Sequence, residues 1–177
     1  MLVLILAGCA NSPKPVADKS ERFKLNGFSV LSPNEDGWFI LDEKESSITF
    51  GKKPSDDEDF ATFASASLLE FTANVENEKE FLETVKSLRE IFINPDEQQI
   101  ISHNERLAPK MGKYCVKYMI KTMGEDLREK YGMTCRHPKN KELILDSSVL
   151  QKGAGKSDTL IKTAAKFLPH VQFEELK

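Results

Sequence analysis

The segment Gly153-Ala154-Gly155-Lys156-Ser157 is the stretch of this chain that comes closest to a phosphate-binding pattern. It lies between a predicted strand and a predicted helix, where a phosphate-binding loop holds a nucleotide with backbone N–H groups and a lysine. That pattern requires a glycine five residues before Gly155, and this position is Leu150. We therefore predict a flexible turn that caps the last helix, and no nucleotide is expected to bind.

Hydrolytic chemistry needs a serine or cysteine nucleophile beside a histidine base. The chain contains residues of these types, but nothing in it resembles the Gly-x-Ser-x-Gly turn that presents the nucleophile in many hydrolases. Chance supplies such residues in a chain of this size, so no catalytic residue is predicted. The residues concerned are His103, His137 and His170, with Ser147 and Ser148 beside Asp146.

Metal binding is a third chemistry that the residue types allow. Cys115, Cys135 and His137 are potential zinc ligands, but their spacing matches no pairwise zinc pattern. The run Ser55-Asp56-Asp57-Glu58-Asp59 offers oxygen ligands for calcium, yet it lacks the spaced acids and the glycine of an EF-hand loop. We predict a solvated loop at this run, and neither a metal nor another cofactor is expected.

The segment Leu6-Ala7-Gly8-Cys9 closes an apolar run that begins at Met1. It resembles the lipobox of bacterial lipoproteins, in which an aliphatic residue and two small residues precede a cysteine. The resemblance implies that the Cys9 sulfur is diacylated and that residues 1–8 are a signal-peptide remnant. Signal peptides usually begin with a cationic residue, and none precedes this short run, so we interpret the start as assigned too late. A buried first strand that ends in a core cysteine is the alternative.

Ala10 follows the cysteine, at the position that the lipoprotein resemblance assigns to membrane sorting. An aspartate there typically retains a lipoprotein at the inner membrane, so Ala10 favours the outer membrane, facing the periplasm, if the cell is Gram-negative. Residues 9–22 are predicted to be a tether, because Pro13 and Pro15 favour extended polyproline II backbone. No other window has the ~18 consecutive apolar residues of a membrane span.

Lipidation of Cys9 would leave Cys115 and Cys135 as an even pair in an oxidising compartment, where a disulfide is favoured. A hairpin that turns near Glu125 places these two cysteines opposite each other on neighbouring strands. The Cys115 face carries lysines, whereas the Cys135 face carries tyrosine and methionine. A bulge would reconcile the two faces. Two free buried thiols are the alternative to the disulfide.

The composition indicates one folded domain, which we place at residues 23–177. With 40% hydrophobic residues, among them 11 phenylalanines, the chain has enough apolar material for a sizeable core. Its 25 Lys and Arg residues and 28 Asp and Glu residues give a net charge of −3, with the signs mixed along the chain. Nucleic acid is therefore an unexpected partner.

Strands are predicted where short apolar runs are bounded by turn residues. The first two are joined by a turn at residues 32–37, and the fourth has apolar or small residues on both faces, as in a central strand. The last four form an antiparallel meander. The predicted strands cover residues 28–31, 38–41, 48–50, 60–71, 98–106, 113–122, 130–136 and 143–150.

Two helices are predicted. Asn77 and Glu80 form a capping-box pattern, and the helix that they begin is expected to end before Asn94-Pro95. A second helix is expected to begin at Ser157 or Asp158 and to end at Pro169. The apolar face of the first carries Phe81, Leu82, Val85, Leu88 and Phe92, and that of the second carries Leu160, Ile161, Ala164, Phe167 and Leu168.

This order of elements resembles the PsbP-like fold, an antiparallel sheet between helices that occurs in a photosystem subunit, a Ran-binding protein and many bacterial lipoproteins. The resemblance covers about residues 23–173 and rests also on Asn26-Gly27-Phe28-Ser29-Val30, which leads to Pro33 and Gly37-Trp38. It implies an α+β fold, arranged as an α/β/α sandwich, and brings no catalytic residues. Known members mostly bind proteins or assist assembly, which favours a binding role.

Two classes of function remain. A non-catalytic envelope lipoprotein that binds or scaffolds a protein partner is favoured, because the domain is tethered and carries little site chemistry. A small-ligand binder or a hydrolase without a clear motif is the alternative, with Trp38, Tyr114 or Tyr118 as the wall of a cleft beside the sheet. A deep pocket with converging polar groups would favour this alternative, and a flat apolar patch would favour the first class.

Overall fold

The computed structural model describes residues 13–16, 20–33, 35–52, 54, 60–153 and 157–176. Its helices are α1 Glu78–Ile91 and α2 Ser157–Phe167, and a 3-10 turn covers Leu168–His170. Its strands are β1 Lys14–Pro15, β2 Arg22–Lys24, β3 Phe28–Leu31, β4 Trp38–Lys44, β5 Ser47–Lys52, β6 Phe60–Glu70, β7 Gln99–Leu107, β8 Cys115–Met123, β9 Leu127–Arg136, β10 Leu143–Gly153 and β11 Val171–Phe173.

The described strands form two antiparallel sheets. The larger sheet has eight strands in the order β1-β4-β5-β6-β10-β9-β8-β7, and the smaller has the order β11-β3-β2. The predicted meander is present, because β7, β8, β9 and β10 lie side by side in chain order. The predicted central strand is β6, in the interior of the larger sheet. The α+β fold, an antiparallel sheet flanked by helices, is confirmed.

Strand β10 shows how the larger sheet separates two cores. Ile144 packs in the core under α1, together with Phe81 and Val85 of that helix. The next residue, Leu145, packs in the core under α2, together with Leu160. Successive side chains of a strand point to opposite faces, so the two helices cover opposite faces of the sheet and form an α/β/α sandwich.

Helix α1 begins where the capping-box pattern predicts. The Asn77 side-chain oxygen accepts a hydrogen bond from the Glu80 backbone N–H at 3.0 Å. Phe81 and Val85 are buried as expected, but Phe92, predicted on the same apolar face, follows the last helical residue and is 80% exposed. The apolar stripe therefore packs the start and middle of α1 on the sheet and leaves its C-terminal end in solvent.

Strands β3 and β4, predicted as two strands joined by a turn, belong to different sheets. Strand β3 pairs with β2 and with the C-terminal strand β11, neither of which the sequence predicts. The connection from β2 to β3 passes through Gly27, whose φ of 78° is favourable only for a residue without a Cβ. The partner β11 comes from the far end of the chain, so local sequence patterns do not reveal it.

Part of the predicted tether is attached to the domain. Lys14 and Pro15 pair with β4, and the Val16 N–H donates to the Trp38 carbonyl oxygen at 3.1 Å. The extended backbone that prolines favour is also the backbone of an edge strand, where a missing N–H is tolerated. The segment Leu6-Ala7-Gly8-Cys9 lies outside the described residues.

Cys115 and Cys135 form a disulfide, with their Cα atoms 4.1 Å apart. They lie directly opposite each other in the β8–β9 hairpin, which is the predicted register. The pairing continues without a bulge, and Lys117 lies opposite Met133. A lysine stem packs along apolar neighbours while its ammonium group stays in water, so the mixed character of this face requires no bulge.

Removing the disulfide should destabilise the fold. The bonded cysteines are 20 residues apart, and closing a loop of that length contributes about 3 kcal/mol to the free energy of unfolding. Denaturant unfolding of the Cys115→Ala/Cys135→Ala double variant and of reduced wild type should show a loss of this size. Equal stability of oxidised and reduced protein would exclude a stabilising bond.

Candidate functional site: a groove between α1 and the sheet

A groove of about 530 Å³ runs between α1 and the larger sheet. Helix α1 forms one wall, strands β8, β9 and β10 form the floor, and the end of β6 forms the opposite side. Such a volume lies within the range of about 300–1,000 Å³ that is usual for ligand sites. Its apolar lining consists of Leu69, Val85, Leu88, Phe92, Ile93, Ile120, Ile144 and Leu150.

Arg89 ties α1 to the floor of this groove. It follows the buried Val85 by one helical turn, so its side chain also points toward the sheet. Its Nε and Nη2 atoms donate to the two carboxylate oxygens of Glu105 on β7, at 2.8 and 3.1 Å. The Arg89 side chain is 11% exposed and that of Glu105 is 2% exposed. The pair is therefore a buried two-pronged ion pair between helix and edge strand.

Asp146 on β10 is the second charge on the floor. The Tyr118 hydroxyl donates to its Oδ2 at 3.0 Å, and the Thr134 hydroxyl donates to its Oδ1. The Lys130 ammonium nitrogen lies 3.6 Å from Oδ2, and Arg89 Nη1 lies 3.8 Å from Oδ1. Both oxygens of this carboxylate are thus occupied by groups from α1, β8 and β9.

Gly132 makes this arrangement possible. It lies opposite Tyr118 in the β8–β9 pair, and a Cβ at this position would come within 2.4 Å of the Tyr118 ring. The ring therefore lies flat across β9, which lets its hydroxyl reach Asp146 one strand further on. The Arg89 guanidinium covers the ring from the other side, 3.9 Å from its centre, in a cation–π contact.

His103 on β7 extends the network toward the rim of α1. Its Nδ1 lies 3.0 Å from a Glu90 carboxylate oxygen and its Nε2 lies 2.6 Å from a Glu105 oxygen. The Glu105 carboxylate is consequently shared between Arg89 and His103. This chain of contacts connects two successive residues of α1 to the edge strand of the sheet.

The network sets the protonation of its members. Burial, followed by the neighbouring Asp146 charge, raises the pKa of Tyr118 from 10.0 to about 12. The pKa of the Lys130 ammonium is raised, mainly by the Tyr118 oxygen and to a smaller extent by the Asp146 carboxylate. Desolvation acts in the opposite direction and lowers this pKa. At neutral pH the floor therefore holds a neutral phenol and a protonated lysine, with Asp146 shared between them.

The aromatic residues predicted to wall a cleft are separated in space. Tyr118 belongs to the groove floor, whereas the Tyr114 hydroxyl donates to the Glu76 carbonyl oxygen at 3.2 Å before the start of α1. Trp38 lines a different cavity of about 440 Å³ beside α2. Its buried Nε1 has no hydrogen-bond partner among the described residues.

The other residues singled out in the sequence do not converge. Ser147 donates to the Met133 carbonyl oxygen, on the opposite face from Asp146, and Ser148 contacts the Ser65 hydroxyl at 3.3 Å. The His137 ring accepts from backbone N–H groups of the following turn. His103 lies in the network, and His170 lies in the 3-10 turn after α2.

No group of His, Cys, Asp and Glu side chains in the described part of the chain is placed to hold a metal ion. The bonded sulfurs of Cys115 and Cys135 are not thiolates, which are the form that binds zinc. The residues Lys156 and 55–59 lie outside the described part. Within that part, no helix has both the length and the apolar character to cross a membrane.

The charged residues that hold α1 to the sheet were not predicted from the sequence. They lie on four different elements and are Arg89, Glu105, Lys130 and Asp146. Of these, only Asp146 was weighed as a possible functional residue, because it is next to Ser147 and Ser148. The one signal that points to them is a charge within an apolar strand run, as at Asp146. Charged residues in such runs usually need a buried partner.

This antiparallel α+β sandwich has counterparts among solved structures. No protein-family model matches the chain, and no curated protein matches it. A mutant of the protein Mog1 is similar over 85% of this chain and 85% of that chain, at 11% identity and a TM-score of 0.50. At this identity the likeness shows the fold alone, and the chain has the α+β fold of Mog1.

Two further solved structures were matched. Cyanobacterial PsbP (CyanoP) from Synechocystis sp. matches over 96% of this chain and 99% of its own, at 16% identity and a TM-score of 0.48. The Saccharomyces cerevisiae Ran-binding protein Mog1p matches over 85% of this chain and 86% of its own, at 10% identity and a TM-score of 0.45.

Replacing Arg89 should show what the buried ion pair contributes. Arg89→Ala leaves the Glu105 and Asp146 carboxylates without their shared cation, and breaking a buried pair typically costs about 3–5 kcal/mol. Denaturant unfolding should detect that loss. The control is Arg106→Ala, an exposed arginine on β7, which should change stability by no more than about 0.5 kcal/mol. Equal effects of the two variants would contradict the assigned role.

Tyr118 should ionise well above the usual pKa of a tyrosine. Its pKa is raised from 10.0 to about 12, so part of the phenolate absorbance should appear in a separate late step. Because the unfolded chain ionises first, the stability contributed by this group is present below pH ~10 and is lost as pH rises toward its folded pKa. Tyr118→Phe should abolish the late step, and a single step in wild type would contradict the burial effect.

Proposed function

We propose that this protein is a non-catalytic binding protein of a bacterial cell envelope, anchored by lipid on Cys9. It binds a protein partner with the C-terminal end of α1. The observation that carries the proposal is the exposure of two consecutive large apolar residues at that end, Ile91 at 74% and Phe92 at 80%. Contiguous apolar surface of this kind marks interaction sites in soluble domains.

The end of α1 is held in a fixed position. Arg89 lies one turn or less before Ile91 and Phe92, and its guanidinium is bound to Glu105 on the sheet. A rigid apolar anchor costs little conformational entropy when it binds, which is a property of interface hot spots. The end of α1 is therefore well suited to receive a partner surface.

The position of β1 supports an anchored orientation. Strand β1 and strand β7 are at opposite ends of the larger sheet, and seven strand spacings of about 4.8 Å separate them by roughly 34 Å. The chain enters the domain from Cys9 through β1, while α1 packs toward β7. An anchor on Cys9 would leave the exposed end of α1 on the side remote from the point of attachment.

The envelope location is supported by the sequence Leu6-Ala7-Gly8-Cys9 and by the Cys115–Cys135 disulfide. Disulfides persist in oxidising compartments such as the periplasm. Lys130 and Asp146 on the groove floor are paired with each other, and Asp146 also contacts Arg89. Such pairing favours a binding surface over a reactive site, because a general base or nucleophile must be able to reach a substrate.

The proposal predicts a position-specific crosslink in intact cells. A photo-crosslinking amino acid at Ile91 should give one discrete protein adduct in the envelope. The matched control is Ile161, an isoleucine of α2 that is 42% exposed on the opposite face, and it should not give that adduct. Equal adducts from both positions, adducts to lipid alone, or no adduct from Ile91 would contradict a protein partner at this end.

The same experiment contains a test of the anchor. The Cys9→Ser chain should leave the membrane fraction, since no acyl chain can then attach, and a membrane-held partner should lose its crosslink to position 91. If the Cys9→Ser protein remains with membranes as completely as wild type, the proposal of a lipid anchor on Cys9 is wrong. The proposed partner surface is tested separately, by the crosslink from position 91.

A further inference from the structure

One end of the groove carries a cation that no group of the described residues neutralises. Arg128 lines the groove and lies on β9 between Thr122 of β8 and Lys152 of β10. It has no hydrogen bond, ion pair or aromatic contact with any residue of the described ranges. An unpaired guanidinium at the wall of an apolar groove is an unused anion-binding group, since its donor fork matches a carboxylate.

The neighbouring charges do not cancel Arg128. Lys130 is directed to Asp146 at 3.6 Å, and Lys152 is paired with Asp126 at 3.0 Å. Along β9, Asp146 pairs with Thr134, which places it about 20 Å from Arg128 at ~3.3 Å per residue. Within the described part of the chain, this end of the groove therefore keeps a surplus positive charge.

The other acid that lines the groove is at its far end. Glu70 lies opposite Leu143 of β10, whereas Arg128 lies opposite Lys152 of the same strand. These two β10 positions are separated by about 30 Å along the strand. The groove thus combines mostly apolar walls with a cationic end, which is the complement of an apolar chain that carries one anionic group.

The polar side chains of the groove favour an acyl chain over a peptide. Thr122 donates to the Gln98 side-chain oxygen at 2.9 Å, and Tyr118 and Thr134 donate to Asp146. These groups are already engaged, so a peptide lying in the groove would leave backbone N–H and C=O groups without partners. A hydrocarbon chain has no such groups, and burying unpaired polar groups is costly.

We propose that the groove binds a fatty-acid-type ligand, a single hydrocarbon chain whose carboxylate pairs with Arg128. The chain lies along α1 beside Leu88 and Phe92, against Ile120 and Leu150 of the floor. The volume of about 530 Å³ suits one such chain and is in the range of small-molecule sites. This site shares Phe92 with the proposed partner surface, but its occupancy requires no protein partner.

The test compares ligands that differ only in the head group. The full chain is used as its Cys9→Ser variant, so that no acyl group of its own enters the groove, and binding is measured by equilibrium dialysis below micelle-forming concentrations. Dodecanoate should bind with a stoichiometry of about one and at least about tenfold more tightly than dodecanol, because a charge-assisted pair is added.

Three further substitutions locate the site. Arg128→Gln should reduce dodecanoate binding to the level of dodecanol and leave dodecanol unchanged. Arg106→Gln, which removes an arginine outside the groove that has no partner among the described residues, should change neither. Leu150→Trp should weaken both ligands alike by filling the groove close to Arg128. The thermal unfolding of Arg128→Gln should match that of the parent chain, since Arg128 has no partner within the described residues.

Equal affinity for dodecanoate and dodecanol, unchanged dodecanoate binding in Arg128→Gln, or no saturable binding would overturn the proposal. Displacement of dodecanoate by an equimolar tripeptide Leu-Leu-Phe with a free carboxyl end would also overturn it, in favour of a protein C-terminus. These binding measurements use the purified chain alone, without a protein partner. A negative result would therefore reject the proposed ligand without deciding the crosslink expected from Ile91.

Discussion

The buried ion pair between Arg89 and Glu105 is the constraint on which the α1 side of the molecule depends. Helix α1 packs on the sheet through apolar side chains as far as Leu88, and Phe92 at its end is exposed. The later part is held by Arg89, whose guanidinium meets Glu105, Thr134 and Asp146. Each acceptor lies on a different strand, so the pair fixes the helix against several strands together.

This polar floor also explains why a groove exists. Apolar side chains from a helix and a sheet normally interdigitate until no space is left. Here the strands beneath the middle of α1 carry Tyr118, Lys130 and Asp146, whose charges and hydroxyl group are satisfied by one another. Closing α1 onto β10 and β6 would disrupt these contacts, because buried charges tolerate little loss of partners. The groove remains open, and it is lined by an apolar rim and by Arg128, which has no partner among the described residues.

The opposite face of the sheet serves stability. Helix α2, the small sheet and the disulfide cover it with one continuous core that includes Phe28, Phe50 and Phe167. The chain enters this part through β1, on the edge remote from α1. The molecule is thus divided between a face covered by α2 and the small sheet and a face with a groove and an exposed helix end. This division suits the proposed anchored role, because the proposed contact surface lies at the edge of the sheet remote from β1.

Local sequence determined much of the architecture. The pattern of Asn77 and Glu80 begins α1, and the succession of strands β7 to β10 produces the meander. The equal spacing of Cys115 and Cys135 from their turn sets the register of the disulfide. Each of these features depends on residues that are close together in the chain. Tertiary structure alone decided two other features. One is the pairing of β3 with β11, and the other is the convergence of Arg89, Glu105, Lys130 and Asp146. Those contacts join residues from distant segments, whose charges carry no local periodicity, and only the packed sheet brings their side chains within hydrogen-bonding distance.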